Sequence, residues 1–329
     1  MGSCCFLCSE ARSLTTEHII PQSLGGKLKA NIYCKECNNT LGHSVDAELI
    51  RHFGFVYSLL CQGIGQEKAS KFEVSEVQTG TKLVYHDGLL VRKNPIVNID
   101  VKDGKLASVD ITARTKAELE RIVRSVETKY GISGGVTTFH EPRPGPTSTE
   151  HSIVVSNPKI RRAIAKIAYG FLCTKIPYNT LISQHFDSIR KYIMFDSECK
   201  LASVNYAHTN FLTDYTRPLH KIHVALNSRD RIVLAFVSIF GVFRFTVLLA
   251  ENYDSVLEWP GLDYTYDPVT KMIVVGNDNF RAPQLSKRDI LNPHHTKKMV
   301  MEELRRGLEV LNGDYVEGYK MMGVEADSD

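Results

Sequence analysis

The 329-residue sequence has no apolar run as long as the about 18 residues that a membrane helix needs. Its most apolar stretch, residues 232–250, is interrupted by Arg244 and alternates as sheet strands do. A charged start followed by a long apolar core is also missing from residues 1–10, so no secretory leader is expected and the expected location is cytoplasmic. There is no internal repeat and no low-complexity tract, which argues against a solenoid or a disordered chain. No charge of one sign dominates, since the formal net charge is only +3. With 43% hydrophobic and 23% charged residues, the composition is that of a globular protein long enough for two domains.

Cysteine is present and unevenly spread. Of eight cysteines, five (Cys4, Cys5, Cys8, Cys34 and Cys37) fall within the first 37 residues, which suits metal binding better than a disulfide framework in a chain expected to stay inside the cell. Cys5-Phe6-Leu7-Cys8 and Cys34-Lys35-Glu36-Cys37 form two CxxC pairs separated by 25 residues. Each pair presents two thiolates from a tight turn to one tetrahedral zinc, and a closed four-thiolate site is structural. Cys4 is the alternative to Cys5, but its longer gap to Cys8 suits the knuckle turn less well.

Patterning divides the chain. The series Val45, Leu49, Phe53, Val56 and Leu60 has helical spacing, with Ser44 as an expected N-cap, so residues 1–62 read as a hairpin followed by a helix. Strands are expected at 82–85, 89–92, 96–101 and 106–112, joined as consecutive antiparallel strands, and then a helix at 115–129 and a long loop over 131–158. Helices at 157–173 and 181–194, strands at 220–226, 231–239 and 242–249, and a helix near 294–311 complete the reading. The expected fold class is α+β: a zinc-stapled module over 1–62 and a larger α+β domain with antiparallel sheet over 63–329, serving target recognition or regulation.

Between the cysteine pairs stands Glu17-His18-Ile19-Ile20-Pro21, then Leu24-Gly25-Gly26 and Asn31, with Asn38 directly after Cys37. In this order over residues 4–50 the sequence resembles the HNH endonuclease superfamily, the ββα-metal fold, in its four-cysteine zinc-knuckle branch. The resemblance implies that His18 is the general base, that Glu17 and Asn38 ligate a catalytic divalent metal, and that Asn31 braces the hairpin loop. His43 is the alternative last ligand. The family more often has Asp where this chain has Glu17. The chemistry is consistent with this: a neutral imidazole takes a proton from water, and carboxylate and amide oxygens suit Mg²⁺ or Mn²⁺.

The expected activity is therefore hydrolysis of phosphodiester bonds in nucleic acid, DNA first, in a role such as phage defence or restriction. The competing readings are a zinc-knuckle protein that binds nucleic acid without cleaving it and, more remotely, a purely structural zinc adaptor. Residues 1–60 hold five Lys or Arg and five Asp or Glu, so any electrostatic grip on nucleic acid is expected from the rest of the chain. Residues 157–175 contain five Lys or Arg and no acid, and read as a helix burying Ile160, Ile164, Ile167 and Phe171 with its basic side solvated.

Overall fold

The computed structural model describes residues 4–63, 72–86, 89–103, 105–113, 115–132, 149–151, 157–195, 204–206, 217–253 and 261–274, with residues 302, 305–307 and 309. The helix expected near 294–311 and the loop expected over 131–158 lie mostly outside these residues. The chain forms two compact units, residues 1–68 with 153–329, and residues 69–152. The N-terminal hairpin and the C-terminal sheet thus share one unit, whereas the sequence pattern had suggested a division after residue 62.

The first unit opens with strand β1 (Leu14–His18), paired antiparallel with β2 (Lys29–Cys34). Their connection makes a 3₁₀ turn over Gln22–Leu24 and closes on Gly25 at φ +82°, the left-handed region that favours glycine. A Cβ on Gly26 would lie 2.0 Å from the carbonyl oxygen of Ile20, so both glycines of the pair are required by the turn. Helix α1 (Lys35–Leu41) starts directly after β2 and continues through a π-helical turn, Gly42–Asp46, into α2 (Ala47–Gly63). The apolar series from Val45 to Leu60 is buried as its spacing predicts.

Ser44 is not an N-cap. The helix is already running when it reaches Ser44, whose hydroxyl donates back to the carbonyl of Thr40 at 2.6 Å.

In the second unit β3 (Phe72–Glu76), β4 (Lys82–His86) and β5 (Leu89–Arg92) pair in sequence. A separate two-stranded ribbon follows, β6 (Ile96–Lys102) with β7 (Lys105–Thr112). The expected run of consecutive strands therefore breaks between β5 and β6, where Pro95 offers no backbone donor to a ladder. Helix α3 (Lys116–Tyr130) is capped by Thr115, and β8 (Thr149–Glu150) pairs with the free edge of β3.

The remainder of the first unit begins with α4 (Pro158–Cys173), whose start is fixed by the Asn157 side chain accepting from the Lys159 amide at 2.9 Å and by Pro158 in the first turn. The short α5 (Tyr178–Leu181) ends where the helix expected over 181–194 should begin, and that stretch holds a 3₁₀ turn at Gln184–Phe186 followed by α6 (Asp187–Phe195). Strands β9 (Val204–Tyr206), β10 (His220–Asn227), β11 (Ile232–Ile239), β12 (Phe243–Ala250), β13 (Leu262–Asp267) and β14 (Met272–Ile273) form an antiparallel sheet in the order β14-β13-β10-β11-β12-β9. Both faces of β11 and β12 are buried, which explains their near-continuous apolar sequence.

Helix α4 packs on this sheet and also touches α2 and the π-helical turn. Its basic side is not solvated as a whole. Arg161 is exposed, but Arg162 is buried and donates to the carbonyls of Ile193 and Met194, and Lys166 is only 2% exposed. A helix packed on the sheet and against α2 has too little free surface to leave these groups in water, so each is held by acceptors inside.

Candidate active site and metal centre

The hairpin brings the two CxxC pairs together. The sulfurs of Cys5, Cys8, Cys34 and Cys37 all lie within 4.8 Å of one another, and those of Cys8 and Cys34 are 3.9 Å apart. Zinc held tetrahedrally at about 2.3 Å spaces its sulfurs by about 3.8 Å, so the cluster fits that ion. Cys4 is outside the cluster and forms a backbone bridge with Ala11 instead. The Cys34 amide donates to Cys5 Sγ at 3.3 Å, and hydrogen bonding from Cys37 draws the Cys5 thiol down to about 4 while Cys37 is pushed up. Crowded thiolates repel, and a shared cation removes the conflict.

Within the hairpin that carries this cluster, β1 ends on the pair Glu17 and His18. Register places His18 opposite Lys29 and Glu17 opposite Ala30. The Nε2 of His18 is buried with no hydrogen-bond partner among the described residues. Partial burial first, then the charges of Lys29 and Lys27, lower its pKa, so the ring is neutral at neutral pH. Asn38, on α1, donates through Nδ2 to Thr15 Oγ1 at 3.0 Å and to the Thr16 carbonyl at 3.3 Å, which ties the helix to the strand just before Glu17 and leaves its amide oxygen as an acceptor. Asn31 is exposed on β2 and accepts from Thr16 Oγ1 at 3.0 Å across the hairpin.

Glu17 is 6% exposed and faces inward. Its Oε1 lies 2.5 Å from Nζ of Lys166, and the same ammonium pairs with Oδ2 of Asp46. Burial raises the pKa of Glu17, Lys166 lowers it, and the neighbouring charge of Asp46 raises it further. His43 is exposed in the π-helical turn. Among the described residues no set of three His, Cys, Asp or Glu donors converges apart from the four cysteines, so neither His43 nor His18 joins Glu17 and Asp46 in a ligand set.

Asp46 and Lys166 were not singled out as site residues by their sequence context. One reads as an acid at a helix start and the other as part of a basic helix, and nothing local signals that they meet. Asp46 Oδ1 is buried without a hydrogen-bond partner among the described residues. Carboxylate and amide oxygens are the donors a hard divalent cation takes, and the unsatisfied Oδ1 is an acceptor such a cation would satisfy, so in kind these residues fit one.

Residues 5–54 match the family model described as HNH endonuclease. Over these residues the N-terminal module is similar to HNH endonucleases. The matched span contains the four cysteines, Glu17, His18, Asn31, Asn38 and Asp46, while Lys166 lies outside it. No curated protein and no solved structure matches the chain.

The HNH module is built into the C-terminal sheet rather than appended to it. The Phe240 amide donates to Nδ1 of the fully buried His220 at 3.4 Å, so Nε2 carries the proton that His220 donates to the Leu24 carbonyl at 2.8 Å. Tyr169 on α4 donates its hydroxyl to the Phe6 carbonyl within the first knuckle at 3.1 Å.

Proposed function

We propose that the protein is an endonuclease that hydrolyses phosphodiester bonds of DNA, with His18 as general base and a structural zinc on Cys5, Cys8, Cys34 and Cys37. The observation that carries this reading is the Nε2 of His18, unpartnered among the described residues on an imidazole whose pKa is lowered, at the end of β1 within the HNH-like module. Nε2 takes a proton from water as the water oxygen attacks phosphorus, and the bond from phosphorus to the leaving sugar oxygen breaks. Partial burial and then Lys29, across the hairpin, disfavour the imidazolium, and Lys29 adds positive charge where a phosphate approaches. Asn38, fixed by Thr15 and Thr16, holds its amide oxygen beside the strand that bears Glu17. A divalent cation such as Mg²⁺ or Mn²⁺, held by Glu17 and Asn38, would supply charge to the phosphate.

Nicking of supercoiled plasmid tests the reading: the protein should convert it to open-circular and linear forms only when Mg²⁺ or Mn²⁺ is present. A second reading is a zinc-knuckle protein that binds nucleic acid without cutting it, and the ion pair of Lys166 with Glu17 favours it because it occupies an oxygen the metal would use. Plasmid binding without nicking in either metal would decide for the second.

A further inference from the structure

Two carboxylates, the buried Glu17 and the half-buried Asp46, share one buried ammonium, that of Lys166. One-to-one pairs bury no net charge, but two carboxylates around one ammonium leave a net charge of −1 in a place where the side chains are only 7% and 14% exposed. Excess buried charge is costly unless a further cation or donor meets it, and Asp46 Oδ1 has no hydrogen-bond partner among the described residues to do so. The ammonium does not come from the HNH module. It is delivered by α4, where the neighbouring Ala163, Ala165 and Ile167 are fully or almost fully buried. Lys166 therefore acts as a fixed cation at the carboxylate beside His18, and its position is set by the packing of α4 on the C-terminal sheet.

We propose that Lys166 is a positioning residue of the nuclease site: it holds Glu17 and Asp46 and competes with the divalent cation for Glu17, so that the C-terminal part of the chain sets how tightly metal binds. The inference rests on the reading of Glu17 as a metal ligand. An ammonium a few ångströms from a divalent ion repels it, and an ammonium on Oε1 must yield that oxygen, at least in part, before the ion can take it. Both effects weaken metal binding. A purely architectural lysine would predict the opposite, because its loss would loosen the carboxylates and with them any ligand set.

The test is Mn²⁺ binding to the zinc-loaded full chain, read from the paramagnetic resonance signal of free Mn²⁺. Lys166→Met should tighten binding by at least about tenfold, Lys166→Arg should stay within about threefold of the parent protein, and the gain should vanish in the Glu17→Gln, Lys166→Met double variant. A folded Lys166→Met protein of normal zinc content that binds Mn²⁺ no more tightly than the parent overturns the proposal. If Lys166→Met does not fold, Lys166→Gln decides, since it is also uncharged and keeps a hydrogen-bond donor towards Glu17. Tighter Mn²⁺ binding by that variant supports competition, and equal or weaker binding refutes it. Plasmid nicking by the parent protein is scored separately. Nicking with no shift in Mn²⁺ affinity rejects only the role of Lys166, whereas the expected shifts without nicking reject only the nuclease reading.

Discussion

Phe53 of α2 lies face to face on Phe243 of β12, with ring centroids 4.1 Å apart and planes 10° from parallel. Both side chains are fully buried, so the helix that closes the HNH module is part of the same core as the C-terminal sheet. Phe53→Ala should cost about 3–5 kcal/mol in urea denaturation, the usual range for deleting a buried aromatic ring. A loss under about 1 kcal/mol would mean that the two parts fold independently.

Zinc should be present at one ion per chain, as measured by elemental analysis of protein purified without chelator. Cys34→Ser should lose the ion and, with it, the folded hairpin, because structural zinc in small modules contributes about 10–16 kcal/mol to the folded state. Retention of one zinc by that variant would refute the four-cysteine ligand set.

Cleavage should rise with pH as His18 loses its proton and level off by neutral pH. The midpoint should fall below the ordinary value of 6.5, since partial burial, Lys29 and Lys27 all disfavour the imidazolium. Lys29→Ala should move the midpoint upward. His18→Ala should lower turnover by about 10²- to 10⁴-fold with zinc content unchanged. A pH profile that does not respond to either substitution would place the base elsewhere.

Glu17→Gln should abolish divalent-dependent nicking while leaving DNA binding nearly intact. It keeps the shape of the side chain and removes the negative charge that a hard cation needs. Gel-shift and nicking assays on one preparation separate the two effects, and a variant that still cuts would show that Glu17 serves only as the partner of Lys166.

Acid should weaken the fold through His220. Its folded pKa is lowered to about 4 from 6.5, with burial the main cause, so the unfolded chain binds a proton that the native state refuses. Stability from this residue is complete above 6.5 and falls as pH drops towards 4, by about 3 kcal/mol for a shift of this size. His220→Gln cannot gain that charge. The stability difference between the two proteins, in which the zinc thiolates common to both cancel, should therefore change with pH over that window, and a pH-independent difference would remove His220 as the cause.

Much of the fold was legible because its signals are local. The strands at 220–227, 232–239 and 243–250 announce themselves by apolar runs between turns, and α4 by its cap at Asn157 and its periodic isoleucines. Less legible were features set by continuity or pairing. Ser44 has the chemistry of an N-cap, yet sits inside a helix that had begun at Lys35. The strands around Pro95 have ordinary strand sequences, but which strand pairs with which depends on donors across space.

The sequence by itself determined the four-cysteine cluster, the glycine pair of the hairpin and the neighbourhood of Glu17, His18, Asn31 and Asn38. These depend on short spacings, and a CxxC turn or a strand end fixes its own geometry whatever surrounds it. Only the tertiary structure decided the charge environment of that site. Lys166 reaches Glu17 and Asp46 because α4 packs against α2 and the sheet, and a contact between residues so far apart along the chain leaves no periodic or local trace in the sequence.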